Sequence, residues 1–299
     1  CRPIHHLNPP LMKNLHNEFI FPSPALRQVI NHYEIFELKG AMTNGGVQLF
    51  PSLTVGLLFT FSAARPIGVL SPCFEEKQMY DVVFVSPTTR VAYNYNFEEV
   101  SVLRVIFQPG MFAQAFGTPV RPFTNNLIDA AYSVDKELSS LRMQMGAQEG
   151  AGAKIEVFEK YLLKKLDGKT LSSKFLLATT DALSHTTGDW AVKSVAAHFS
   201  LSQRQLNRKF SEAYGLSLKQ FLQVYRFCSV LKFMHTPSFE SLSDTAYRFG
   251  YADQAHFSHV FRTMMGQSPG AYLKRADTAA FPGEVDDLDH FGFLIDGRT

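Results

Sequence analysis

Cysteine is scarce in this chain. Cys1, Cys73 and Cys228 lie far apart with no CxxC spacing, which excludes a disulfide framework and a thiolate zinc cluster. No apolar run approaches the roughly 20 residues of a membrane-spanning helix. The opening residues from Cys1 to Leu11 lack the charged-then-apolar pattern of a secretory leader. Nor do the residues offer a paired acid and base, a phosphate-cradling glycine loop or an activated nucleophile, so neither an enzyme nor a cofactor is expected. His256 and His259 stand at i, i+3 like two metal ligands, but no third ligand follows at a suitable spacing, so no metal site is expected either. His5, His6, His16 and His32 are scattered and read as background. Together these absences fit a soluble protein of a reducing cytoplasm, without a membrane partner.

What is present divides in two. At 299 residues, with 45% hydrophobic and 19% charged residues, the chain suits two globular domains, each able to bury its own core. Short runs rich in Val, Leu and Phe predict β-strands at Val47 to Phe50, Val55 to Phe61, Val82 to Val85 and Val102 to Phe107, with Pro51, Gly56, Pro66, Gly68, Pro72 and Pro87 interrupting them. From Pro109 onward the period changes: Ile155, Phe158, Leu162 and Leu166 recur at helical spacing and Asp167-Gly168 closes that helix. The expected fold class is α+β: a β-rich barrel or sheet with helices over 1–168, an all-α domain over 169–276, and a short acidic tail over 277–299.

Charge follows the same division. Asp181 to Ala276 holds about 11 lysines and arginines against about 6 acidic residues, while Asp277 to Thr299 holds about 1 against about 6. A basic segment suits a phosphate-bearing partner, although an excess this small points only weakly.

The strongest signal is a near-repeat. Shifted by 50 residues, Val192, Val195, Ala196 and Phe199 fall on Leu242, Thr245, Ala246 and Phe249; shifted by 51, Leu206, Phe210, Gly215, Ser217 and Phe221 fall on Phe257, Phe261, Gly266, Ser268 and Tyr272. The offset changes between the first and second helix of each unit, where a turn absorbs one residue. In each unit a small alanine, Ala196 or Ala246, lets two helices cross closely around a short turn. With Leu206, Phe210 and Ala213 inward, the second helix of unit one turns Gln203, Arg204, Asn207 and Arg208 outward. With Phe257 and Phe261 inward, unit two turns Gln254, Ala255, Ser258 and His259 outward, with Arg262 near the phosphates. Arginine can take guanine bidentately and asparagine can take adenine, so both faces suit a major groove. An isolated arginine-bearing helix reads better as a solvated surface; the duplication is what favours DNA.

At these residues the sequence resembles the AraC/XylS family of transcription regulators. The matching stretches are "SVAAHFSLSQRQLNRKFSEAYGLSLKQFL", "YRFCSVLKFM" and "SLSDTAYRFGYADQAHFSHVFRTMMGQSPGAYLK", covering roughly the last third of the chain. The resemblance implies seven helices, a rod from about Phe221 to Met234 between the two units, binding to double-stranded promoter DNA and, for an activator, recruitment of RNA polymerase. Two departures stand out. Ser200 replaces the usual glycine of the first turn, asking a residue with a Cβ to take that bend. His259 stands where the family commonly has arginine, which implies weaker or pH-sensitive reading by unit two.

"VLRVIFQPGMFAQAFGTPVRPFTNNLIDA" resembles the uncharacterised amino-terminal domain of one AraC-type subgroup, with an F-x-P-G turn leading into a helix. By analogy this domain either senses a small-molecule effector or serves only for homodimerisation or protein contacts; the residues leave both open. Phe50, Phe59, Phe61, Tyr80, Phe84, Tyr93 and Tyr95 could line a ligand pocket, yet strand aromatics more often fill cores. Cys73 has no flanking basic residue to lower its thiol pKa and reads as structural. The acidic run Glu284 to Asp289 reads as a solvated end that could lie over Arg262, Lys274 and Arg275 at low salt.

Overall fold

A computed structural model of the protein shows the first half as two antiparallel sheets. The structure describes residues 15–39, 46–49, 51–61, 67–70, 75–78, 80–90, 92–95, 99–126, 128–172, 174–185 and 189–276. Cys1, Cys73, Phe50 and the acidic tail lie outside these residues, as do the side chains of Tyr93 and Tyr95.

The larger sheet contains β1 (Leu15–Ile20), β2 (Ile30–Lys39), β4 (Gly56–Thr60), β7 (Val82–Val85), β9 (Glu99–Phe107) and β10 (Ile128–Asp129), in the order β1-β2-β9-β4-β7-β10. The smaller contains β3 (Gly46–Leu49), β5 (Ile67–Leu70), β6 (Glu75–Gln78) and β8 (Ala92–Tyr95), in the order β3-β8-β5-β6. Leu57 and Phe59 on β4, and Leu103, Val105 and Phe107 on β9, send alternate side chains to one face. Helices cover that face: α1 (Met111–Phe116), α2 (Ala130–Ser133), α3 (Glu137–Gly146) and α4 (Ala151–Leu166). On α4, Ile155, Phe158 and Leu162 are buried, and the Phe158 ring meets Phe59 edge-on at 5.7 Å and Tyr33 at 6.2 Å. Phe84 packs on Phe112 at 4.5 Å. Phe59 and Phe84 therefore fill the core. Tyr33 donates its hydroxyl to Glu159 Oε1 at 3.1 Å, and burial beside that carboxylate raises the phenol pKa well above its ordinary value.

On the opposite face of β2, His32 takes part in a buried ion-pair cluster, a structural place rather than a functional one. His32 and Glu34 are 2% and 5% exposed, with His32 Nε2 at 2.8 Å from one carboxylate oxygen and Arg104 Nη1 at 2.5 Å from the other. Glu34 and Arg104 stand directly opposite each other in the β2–β9 register, which makes this cross-strand ion pair possible. A buried carboxylate is tolerable only with such partners.

The F-x-P-G turn opens α1 as expected, with Gly110 at φ 73°. After α4 come seven helices: α5 (Lys174–His185), α6 (Asp189–His198), α7 (Gln203–Tyr214), α8 (Leu218–Met234), α9 (Leu242–Arg248), α10 (Gln254–Met265) and α11 (Pro269–Ala276). They share one apolar cluster, joined by Leu53 from the first domain. Cys228 Sγ bonds to the Pro51 carbonyl at 3.5 Å, and burial pushes its thiol pKa up to about 12, an inert structural cysteine. Val120 N–H donates to the Glu212 carbonyl at 3.0 Å and Thr124 Oγ1 to the Gly215 carbonyl at 2.8 Å. The first domain thus rests on the end of α7.

No helix among the described residues is long and apolar enough to cross a membrane, and no cluster of three or more metal-ligating side chains occurs among them.

Candidate nucleic-acid interface

Each reading helix begins on a capped turn and ends on a left-handed glycine. In unit one Ser202 caps α7: its hydroxyl accepts from Gln205 N–H at 3.2 Å, while Ser202 N–H donates to Gln205 Oε1 at 2.9 Å. In unit two Asp253 caps α10, accepting from His256 N–H at 2.7 Å. Gly215 at φ 92° ends α7, and Gly266 at φ 71° ends α10. The preceding turns match bond for bond. Leu201 N–H donates to the Ala196 carbonyl at 2.8 Å and Tyr251 N–H to the Ala246 carbonyl at 2.9 Å, the i to i−5 closure of a Schellman turn. The sequence repeat is therefore a structural one.

At the bend of that turn stand Ser200 at φ 52° and Gly250 at φ 68°. The left-handed region costs a residue with a Cβ about 1–2 kcal/mol, and glycine's larger unfolded-state entropy offsets about 0.5–1 kcal/mol of any relief. Ser200→Gly is accordingly expected to stabilise the full chain by about 0.5 kcal/mol, and Gly250→Ala, whose Cβ would meet nothing within 4 Å, to destabilise it by about 1 kcal/mol. Urea denaturation followed by circular dichroism should show midpoints moving in opposite directions; shifts of the same sign would contradict the strained bend.

Burial separates the two faces of each reading helix. On α7, Leu206, Phe210 and Tyr214 are buried, with Phe210 stacked on Tyr214 at 5.2 Å and edge-on to Phe221 at 5.3 Å. Ala213, expected inward, is half-buried at the flank of that face. On α10, Phe257, Phe261, Met264 and Met265 are buried. Between them α8 buries Phe221 toward unit one and Phe227 toward unit two, the latter 5.4 Å from Phe261. At 1.5 Å per residue, α8 is a rod of about 26 Å.

Outward, Gln203, Arg204, Asn207 and Arg208 on α7, and Gln254, Ala255, His259 and Arg262 on α10, are exposed; Ser258 is half-buried. Asn207 differs from a free groove-facing amide. Its Oδ1 accepts from Leu218 N–H at 3.1 Å, which ties α7 to the start of α8, occupies one of the two lone pairs and fixes where the amide points. A bidentate grip on adenine needs both atoms. Arg208 lies 3.5 Å from Glu212, an exposed i, i+4 pair of little energetic weight. The Arg204 side chain makes no ion pair or hydrogen bond among the described residues.

A protein-family model described as a helix-turn-helix domain matches residues 195–275. It begins within α6 and ends within α11, so it takes in both reading helices and the rod. The last third of the chain is an AraC-type helix-turn-helix domain. A second model, described as a domain of unknown function (DUF6597), matches residues 18–129, which run from within β1 to the end of β10 across both sheets, and assigns them no activity. The HTH-type transcriptional activator RhaS of Escherichia coli O6:H1 is 31% identical over 150 residues, covering 46% of this chain and 54% of RhaS. RhaS of Citrobacter koseri is 38% identical over 77 residues, 26% of this chain and 27% of that protein. The chain spans about half the length, or less, of these curated relatives. Among solved structures, ToxT of Vibrio cholerae aligns over 81% of this chain and 97% of ToxT, at 13% identity and a TM-score of 0.42. The DNA-binding domain of AdpA in complex with a target DNA aligns over 38% of this chain and all of that domain, at 25% identity and a TM-score of 0.33. In the AraC-type domain here, α7 and α10 are the second helices of the two units, and their exposed faces carry the residues the repeat turned outward.

Proposed function

We propose that this protein is a sequence-specific transcription regulator of AraC type that binds double-stranded promoter DNA. One observation carries the reading: a helix-turn-helix unit occurs twice, each second helix starting on a side-chain N-cap (Ser202 or Asp253) and ending on a left-handed glycine, with the same turn closure and an exposed polar face. In this reading α7 and α10 enter successive major grooves on one face of the duplex, about 34 Å or one B-DNA turn apart. The groove-facing residues are Gln203, Arg204, Arg208, Gln254, Ala255, Ser258 and His259; Asn207 contributes in the orientation that its bond to Leu218 fixes, and Arg262 meets phosphate. Regulation is assigned to the first domain, which responds to a small molecule and acts from the cytoplasm on promoters served by RNA polymerase.

The contacts of Val120 and Thr124 with the end of α7 support that assignment, because a change in the first domain reaches the reading helix directly. They would serve equally if the first domain only joined two copies or met a protein partner.

Selection of duplexes from a random pool by the full chain tests the proposal. A recovered motif with two half-sites one helical turn apart is expected. Recovery of no preferred sequence would reject sequence-specific regulation. A metabolite panel measured against the selected duplex then separates an effector domain, which shifts affinity, from one that only dimerises.

A further inference from the structure

Between the first domain and α7 lies a half-open cavity of about 550 Å³. Arg121, Thr124 and Asn125 form one wall; Arg204, Arg208 and Ser211 on α7 stand in the other. Three arginines from two domains thus line a common space, and no aspartate or glutamate lines it. Arg121 and Arg204 make no ion pair or side-chain hydrogen bond among the described residues, and Arg208 has only its exposed contact with Glu212. Like charges on one rim repel one another, the exposed Glu212 offsets only the charge of Arg208, and an anion between the arginines relieves the repulsion. The guanidinium fork matches carboxylate and phosphate oxygens.

The cavity walls are fixed in place. Val120 and Thr124 bond to the carbonyls of Glu212 and Gly215 on either side of the α7 terminus. Gly215 admits no larger residue here, since a Cβ would lie 2.8 Å from both Thr124 Oγ1 and Val120 Cγ1. Asn125 holds a left-handed backbone at φ 60°, secured by Thr89 N–H donating to its Oδ1 at 2.7 Å and by its own Nδ2 donating to Thr89 Oγ1 at 3.1 Å. The arginines therefore project from a rim whose backbone is already ordered, so a ligand need not organise it.

We propose that this cavity is an oxyanion site, in which Arg121 of the first domain and Arg204 and Arg208 of α7 together hold one phosphate or carboxylate group. Two sources supply that chemistry. A free small anion would bridge the domains and occupy the reading face of α7, competing with DNA. A backbone phosphate of bound DNA would instead make Arg121 a contact that the first domain adds to the interface. Binding of a free anion stands without the function proposed above; its competition with DNA, and the second source, rest on that function.

Arg121 is exposed and outside both helix-turn-helix units, so Arg121→Gln removes the charge without disturbing a core, which an unchanged melting temperature verifies. In the first arm, calorimetric titration of the full chain with inorganic phosphate and with malonate, without DNA and at ionic strength held constant with chloride, is expected to show saturable one-to-one binding that Arg121→Gln weakens at least tenfold. In the second, anisotropy of a selected duplex across a salt series is expected to show the slope of log affinity against log salt falling by about one in Arg121→Gln. Loss in the first arm alone assigns the site to a free anion, and loss in the second alone assigns it to DNA phosphate. If Arg121→Gln behaves as the wild type in both, the proposal is overturned. If the wild type binds no duplex, the regulator reading fails, and the calorimetric arm decides the site: saturable binding sustains it and its absence rejects it.

Discussion

Replacing Phe261 with alanine is expected to cost the folded protein about 3–5 kcal/mol, the range for truncating a buried aromatic ring. Phe261 is fully buried, and its ring lies 5.4 Å from Phe227, 5.8 Å from Phe257 and 5.6 Å from Tyr272. These rings belong to α8, α10 and α11, so a single truncation opens a void where the rod, the second reading helix and the last helix meet. Neighbours held by three helices cannot collapse into it freely. On the other face of α10, His259→Ala removes an exposed ring and is expected to change stability by no more than about 0.5 kcal/mol. Urea denaturation of the full chain should therefore separate two substitutions only two positions apart. Equal midpoints would show that α10 does not bury the face assigned to it, and the outward set from Gln254 to Arg262 would then be misassigned as well.

The contrast between Phe261 and His259 shows why this helix was legible in the sequence: its contacts follow from position along the helix. Phe257 and Phe261 are spaced i, i+4, and the same spacing recurs 51 residues earlier as Leu206 and Phe210. Ser200 was legible by another route. The family resemblance implies a glycine, and so a left-handed backbone, at that turn, and both Ser200 and Gly250 have positive φ. Strand β2 was not legible. Its His32, Glu34 and Glu37 resemble a solvated segment, and the burial of Glu34 depends on Arg104, a partner far along the chain. The end of α7 was opaque in the same way. Nothing near Asn207 shows that its amide oxygen accepts from Leu218, and nothing near Arg121 shows that it shares a cavity with Arg204. Local periodicity identified the faces of the site. The long-range contacts that modify those faces became visible only with the fold.

Arg204→Ala and Arg208→Ala are the substitutions that decide whether α7 reads bases. Both side chains are exposed, and the one ion pair they make among the described residues, Arg208 with Glu212, is more than half exposed, so neither change should lower stability by more than about 0.5 kcal/mol. A loss of binding would then report on the interface rather than on folding. If an arginine meets guanine through its fork, its loss is expected to cost about 1–3 kcal/mol of discrimination, roughly 5- to 150-fold between the selected site and its single-base variants. If it meets phosphate, affinity should fall almost equally on all duplexes and the salt slope should drop by about one. Arg204 has no competing partner among the described residues, whereas Arg208 must first release Glu212; Arg204 is therefore expected to show the larger effect. Anisotropy titrations of both variants against the selected duplex and a scrambled one, each over a salt series, separate these outcomes. Wild-type affinity and slope in both variants would mean that DNA does not meet this face of α7.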